Sequence, residues 1–280
     1  MKKGTWTNIF LILVLVTGLS LLLYPSFADY WNTLHQTRAI ADYTEQLAQI
    51  DTVEYEKIWQ DVARYNEGIL MRRNAFRLSE EEKLRYEQLL NLSGKGIMGY
   101  IEIPSIDCTS PIYHGTEDTV LQIAIGHVEW TSLPGGGAGT HCVLSGHRGL
   151  PSARLFTDLD KMGVGDVFML NILDQTLTYQ VDQVKIVEPH VTEDLLIVEG
   201  EDYCTLVTCT PYGVNSHRML VRGTRIENLE EVKVRHVTAD AVQIEPIIVA
   251  PLLAAPILLV LLVALLIPKP KKNRRKPNDA

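Results

Sequence analysis

Val167-Phe-Met-Leu-Asn-Ile-Leu173, Asp174-Gln175 and Thr176-Leu-Thr-Tyr-Gln-Val181 form the stretch on which the fold turns. Two runs of aliphatic, β-branched and aromatic residues flank a polar pair, the pattern of a β-hairpin. Gly163 to Asp166 supplies the turn before it. Upstream, Gly99-Tyr-Ile-Glu-Ile-Pro104 alternates and stops at proline, and His141-Cys-Val-Leu-Ser-Gly146 is a short apolar run. Downstream, Val184 to Val187, Cys204 to Cys209 and Met219 to Ile226 supply three more strands. Short strands at this spacing predict a mainly β domain, its sheet antiparallel and either closed or sandwiched. About 130 residues suffice for one such core. Leu155 to Met162 and Glu193 to Val198 read as short helical or loop insertions.

The residues ahead of the sheet have another texture. Between 30 and 92, Ala39/Ile40, Tyr43, Leu47 and Ile50 recur at steps of three and four, as do Tyr55, Ile58/Trp59, Val62, Tyr65 and Ile69. That is helical periodicity. Ser79-Glu80-Glu81-Glu82 opens a further helix, with serine as N-cap and glutamate at the third position after it. Asn91 to Gly96 ends the pattern.

Charge is segregated. Residues 4–28 and 247–268 carry none. Ile9 to Tyr24 is apolar and follows Lys2 and Lys3, which gives a signal peptide or a retained signal-anchor. Its length, near the ~20 residues that span a bilayer, favours retention. Ile247 to Ile267 is long enough to cross and has no polar face. Lys269, Lys271, Lys272, Arg274, Arg275 and Lys276 follow it, and basic flanks stay cytoplasmic. Two spans with both termini inside put residues 29–246 outside the cytoplasm. That middle holds 18 basic and 33 acidic residues, a net charge of −15. Nucleic acid is excluded as its partner, because phosphate contacts need lysine and arginine; the basic tail belongs with membrane lipid. The tail could also close a wall-sorting signal, but Val242-Gln243-Ile244-Glu245-Pro246 is not of the Leu-Pro-x-Thr-Gly type.

The expected organisation is therefore a membrane segment at 1–28, a helical segment at 29–96, a β domain at 97–229, a linker at 230–246, a second span at 247–267 and a basic cytoplasmic tail at 268–280. The Gly135-Gly-Gly-Ala-Gly139 loop lacks the Lys-Ser/Thr of a phosphate loop.

Cysteines 108, 142, 204 and 209 could form two disulfides in an extracytoplasmic domain. Cys204 and Cys209 are too loose a pair for a zinc site. Cys142 lies inside an apolar run and reads as a core residue. Cys209 ends the strand Thr205-Leu-Val-Thr-Cys209 ahead of a Thr-Pro-Tyr-Gly turn, where a side chain is held yet reaches solvent. Arg218 heads the next strand, and a guanidinium beside sulfur favours thiolate and can bind an oxyanion. His147, between Gly146 and Gly149, is the candidate acid–base; glycines there permit a sharp turn and close approach of a ligand. His217 is the rival histidine and Arg222 the rival arginine.

Thr205-Leu206-Val207-Thr208-Cys209 resembles the Thr-Leu-x-Thr-Cys motif of the sortases, cysteine transpeptidases of the Gram-positive cell surface. The continuation Thr210-Pro-Tyr-Gly-Val-Asn-Ser-His-Arg218-Met-Leu-Val-Arg-Gly223 resembles the pilin-polymerising class C. Ser145-Gly-His147-Arg-Gly149, with Leu155-Phe156 and Leu159-Asp160, is similar to the family's histidine segment. The resemblance covers about residues 97–226. It implies a closed eight-stranded sortase-type β-barrel with N-terminal helices and two transmembrane helices, and His147, Cys209 and Arg218 as the catalytic trio along one groove. It further implies cleavage of the Thr–Gly bond of a Leu-Pro-x-Thr-Gly-like sorting signal, transfer of the acyl group to a pilin lysine, and no metal or organic cofactor. A housekeeping sortase using a wall-precursor amine, a membrane-bound cysteine hydrolase and a disulfide-stapled β domain without catalysis stay open. Many class C sortases carry a lid with an Asp-Pro-aromatic anchor. No Asp-Pro occurs in this chain, and Phe76 is the one phenylalanine between 66 and 96, the lid's position.

Overall fold

The computed structural model describes residues 3–71 and 77–228. The second apolar segment, the basic tail, Phe76 and His236 lie outside the described residues. Residues from Ala28 through the barrel form one compact unit; the first part of the chain, Met1–Phe27, belongs to another.

Three helices precede the sheet: α1 (Lys3–Leu47), α2 (Thr52–Met71) and α3 (Glu80–Gln88). α1 does not stop at the expected boundary near residue 28, and Pro25 lies inside it. It is the one described helix long and apolar enough to cross a membrane. Leu13, Leu21 and Phe27 along it are exposed. α3 begins as its sequence requires. The Ser79 hydroxyl accepts from the Glu82 amide at 3.3 Å, and the Glu82 carboxylate accepts from the Ser79 amide at 2.7 Å.

The sheet closes on itself. Its strands are β1 (Ile97–Ile103), β2 (Cys108–His114), β3 (Ile125–His127), β4 (Thr140–Ser145), β5 (Val167–Ile172), β6 (Gln175–Val187), β7 (Asp202–Thr210) and β8 (His217–Arg225). A four-residue helix, α4 (Asp118–Leu121), sits between β2 and β3. Around the barrel the order is β1-β2-β3-β4-β7-β8-β6-β5.

The expected hairpin is β5–β6, with Leu170 opposite Leu177 and Phe168 opposite Tyr179. The alternation of β5 buries Phe168, Leu170 and Ile172. Two expectations need correction. The sheet is not wholly antiparallel, because β2 runs parallel to β3 and β4 parallel to β7. Thr176–Val181 and Val184–Val187 are one strand, not two. The register shifts between Val181 and Gln183, and the intervening Asp182 turns its carboxylate to Arg222. β2 and β3 were not legible as strands. β2 carries Pro111, and β3 has three residues.

Buried polar groups hold the helices against the barrel. The Tyr43 hydroxyl donates to the Met98 carbonyl at 3.0 Å and accepts from the Leu173 amide at 2.8 Å. Asn66 exchanges two bonds with the backbone of Leu133. Trp59 donates to Asp174 at the β5–β6 turn. Val62, Tyr65, Ile69, Tyr86 and Leu90 enter the same apolar core as Ile101, Phe168 and Leu206. The glycine loop serves this packing. A Cβ on Gly135 would stand 2.6 Å from Val62, and the Gly137 amide donates to Asp202.

Candidate active site

β7 presents two faces. Cys204 and Leu206 face the main core, whereas Val207 packs with Val143 and Leu220 in a separate apolar cluster outside the barrel wall. Cys209 shares the parity of Val207 and therefore emerges on the outer face, half-exposed. This geometry disposes of a Cys204–Cys209 bridge, since five residues along one strand put the two sulfurs on opposite faces. All four cysteines are free thiols, so neither of the two bridges that the sequence would allow is formed. Cys142 and Cys204 are register partners inside the barrel, both fully buried. Burial pushes the Cys108 thiol up to about 12.

Arg218 lies directly opposite Cys209 in the antiparallel β7–β8 pair. Directly opposed residues on one face stand within about 5.5 Å at Cα. The Arg218 guanidinium donates to the carbonyls of Asn215 and His217 at 3.2 and 3.1 Å, which fixes it at the strand head. Arg222 is opposite Thr205, about 13 Å further along the strand at its normal rise. It forms a two-pronged bond to Asp182 and lies over the Tyr203 ring at 4.2 Å. The structure thus brings Arg218 to the cysteine and commits Arg222 to a distant ion pair.

His147 arrives from a different strand. In the parallel β4–β7 pair Ser145 is opposite Val207. The contact continues past the strand end: the Gly146 amide donates to the Val207 carbonyl at 3.1 Å, and the Thr208 hydroxyl donates to the Gly146 carbonyl at 2.8 Å. His147 and Cys209 each stand two residues beyond the Ser145–Val207 pair, at the same end of neighbouring strands. The turn that holds His147 is pinned from several sides. Phe156 donates to the His147 carbonyl, Thr157 accepts from the Gly149 amide, and Arg148 pairs with Asp160. That pair ties the Gly-His-Arg-Gly turn to the Leu159-Asp160 stretch, twelve residues on from Arg148.

The imidazole is partly exposed, and its Nε2 lies 3.8 Å from the Asp118 carboxylate at the start of α4. Asp118 carried no signal in the sequence reading. The glycines beside His147 make room for protein groups rather than for a ligand: a Cβ on Gly146 would meet Ile125 and Phe156 at 2.6 and 2.7 Å, and one on Gly149 would meet Tyr212 at 2.5 Å.

Four other histidines are engaged elsewhere. His217 contacts Ser216 at the strand head. His141 donates from Nδ1 to the Leu196 carbonyl and accepts at Nε2 from Thr205, while burial pushes its pKa down to about 4. His127 is fully buried: Nε2 donates to the Ser132 carbonyl, and Nδ1 accepts from the Tyr86 hydroxyl. His114 is wedged between the Gly96 and Leu89 carbonyls. Among the described residues no group of three or more His, Cys, Asp or Glu is arranged to hold a metal ion.

Comparisons with known proteins bear on the barrel as a whole. A model of the sortase domain matches residues 101–226. Sortase D of Bacillus subtilis is 28% identical over 131 residues, which cover 46% of this chain and 63% of that protein. Sortase A of Bacillus anthracis is 25% identical over 226 residues, 80% of this chain and 96% of the relative. Among solved structures, sortase C1 of Streptococcus agalactiae is 51% identical, with a TM-score of 0.67 over 69% of this chain and 100% of that one. Sortase C of Streptococcus pneumoniae is 44% identical, with a TM-score of 0.60 over 68% of this chain and 97% of the other. A Clostridium perfringens sortase C, solved with the C-terminal cell wall sorting motif, is 41% identical, with a TM-score of 0.61 over 69% and 100%. A closed eight-stranded barrel, 51% identical to a solved sortase over that structure's full length and matched by the sortase-domain model, places this chain in the sortase family of cysteine transpeptidases.

Proposed function

We propose that the chain is a pilin-polymerising sortase, anchored by two membrane spans with both termini cytoplasmic, and that His147, Cys209 and Arg218 are its catalytic residues. The observation that carries the reading is the juxtaposition of three side-chain chemistries at one barrel rim, with Cys209 opposite Arg218 and His147 at the adjoining strand end.

The cysteine sulfur gives up its proton to His147 and attacks the Thr–Gly carbonyl of a Leu-Pro-x-Thr-Gly-like signal. A C–S bond forms, and the oxygen takes on negative charge that Arg218 is placed to meet. As the C–N bond breaks, His147 passes its proton to the departing glycine amine. A pilin lysine then attacks the thioester, giving an isopeptide bond and freeing the thiol. The partly buried Val207 and Val187 on the face of Cys209 suit the Leu-Pro end of such a signal. The likeness to structures of sortase C supports the pilin assignment over transfer to a wall precursor.

Mass spectrometry of the enzyme and its products, with and without a lysine-bearing pilin domain, tests the reading. The native chain should form a thioester with the peptide and release a peptide–pilin isopeptide only when the domain is present. Cys209→Ala should form no thioester. Arg218→Lys should fall by about a hundredfold, since an oxyanion donor is worth that much and lysine lacks the planar fork. Arg222→Lys should keep its activity. A thioester that yields only hydrolysed peptide would replace the transferase reading with the hydrolase, and activity in Cys209→Ala would remove the nucleophile.

A further inference from the structure

We infer that Asp118 recognises the ammonium group of the acceptor lysine and hands it to His147; the inference rests on the amine-transfer reading above. Four side chains stand in a row across adjoining elements of the barrel: Asp118 at the start of α4, which leads into β3, His147 past the end of β4, Cys209 on β7 and Arg218 on β8. Arg218 lies on one side of the sulfur. His147 and Asp118 lie on the other, so that is the side from which an amine leaves and on which the next arrives.

The charge of Asp118 is uncommitted. The neighbouring carboxylates have partners, Asp160 with Arg148, Glu117 with Lys83 and Asp158 with Arg154 and Lys161. Among the described residues no lysine or arginine pairs with Asp118. Its side chain is 84% exposed and its sole ionic contact is His147 Nε2 at 3.8 Å. A carboxylate serving only to orient the imidazole would be expected within hydrogen-bond distance and shielded. Its backbone, by contrast, is held firmly. The Gly115 amide donates to the buried Tyr86 hydroxyl at 3.0 Å, and the Glu117 carbonyl accepts from Val120 and Leu121. The result is a fixed anchor with an exposed negative tip next to the general base.

A lysine side chain is almost wholly protonated at neutral pH and cannot attack until it loses a proton. The carboxylate draws the ammonium to the place where it is deprotonated. One proton passes from Nζ to His147 and on to solvent. The free amine attacks the thioester carbonyl, a C–N bond forms, the C–S bond breaks, and the second proton ends on the departing Cys209 sulfur. Water gains nothing from the carboxylate's charge, so the same residue biases the thioester toward transfer over hydrolysis.

The test resolves the acyl-enzyme of the full chain in detergent with two amines, a lysine-bearing peptide and hydroxylamine, which is mostly uncharged at neutral pH. Asp118→Asn should raise the KM for the lysyl peptide about fivefold, the weight of one charge pair at 4 Å in water, with kcat little changed. The KM for hydroxylamine should move by at most about twofold. Asp118→Glu should restore the lysyl KM, and added salt should bring the native enzyme toward the asparagine variant. Equal losses with both amines, or a fall in kcat alone, would make Asp118 a positioning residue for the imidazole and overturn the inference, as would an unchanged lysyl KM. A native enzyme that accepts hydroxylamine but no lysyl peptide would instead sink the lysine-acceptor reading, and the inference with it.

Discussion

Gly146 and Gly149 bracket His147 and Arg148 and lack a side chain for different reasons. At Gly146 the backbone is ordinary, but a methyl group would stand 2.6 Å from Ile125 and 2.7 Å from Phe156, both fully buried. Neither can retreat without disturbing the core. At Gly149 the backbone is left-handed, with φ of +77°, and the obstacle is the ring of Tyr212, which is 63% exposed and free to swing. Gly146→Ala should therefore lower stability by about 1–3 kcal/mol, as overpacking does. Gly149→Ala should cost about 1–2 kcal/mol for its backbone alone, and it should lose peptide-cleavage rate out of proportion because the strain falls on the turn that aims His147. Thermal midpoints and initial rates of the two variants separate these effects; a Gly149→Ala enzyme that cleaves at the native rate would mean the turn aims nothing. The sequence marks both glycines as special, and ligand access was a reasonable expectation. What it conceals is that the space belongs to Ile125, Phe156 and Tyr212, none of them adjacent in the chain.

At the scale of elements, legibility follows the distance over which pairing is made. The β5–β6 hairpin and the Cys209–Arg218 pair were readable because short turns join antiparallel neighbours. The placement of His147 was not readable from spacing, since it depends on β4 lying parallel to β7, some sixty residues away, with no local pattern to announce it. There the family resemblance supplied what periodicity could not. The segment at the position of the class C lid is a further case. α3 is built into the molecule: Tyr86 is 1% exposed, its hydroxyl bridges His127 and the Gly115 amide, and Leu90 enters the core beside it. Deleting residues 66–96 would remove Ile69, Tyr86 and Leu90 together and unfold the barrel rather than open it. Tyr86→Phe is the cleaner probe. It keeps the ring and strands a buried amide and an imidazole nitrogen, so stability should fall by about 1–3 kcal/mol. Denaturant unfolding measures that directly, and an unchanged midpoint would show that α3 is held by its apolar contacts alone.

For the whole molecule, the segregation of charge is the feature that ties chemistry to place. An acidic middle between two uncharged segments, with lysines at one end and six basic residues at the other, fits a chain that crosses the membrane twice and keeps its catalytic part outside. The described part of that argument is α1, whose apolar length matches a span. Anchoring would serve the proposed reaction, because an enzyme and a tethered substrate confined to one surface meet at a raised effective concentration. The topology has a direct check. In protoplasts treated with protease from outside, a tag placed after Ala280 should survive while the middle of the chain is cut, and permeabilising the cells should expose the tag. N-terminal sequencing of the mature protein should return residues before Ile9, because a retained anchor keeps Lys2 and Lys3. A tag lost without permeabilisation would put the basic tail outside. A mature terminus near Asp29 would make the first segment a cleaved signal and leave the C-terminal segment to hold the enzyme alone, with the catalytic side of the membrane unchanged.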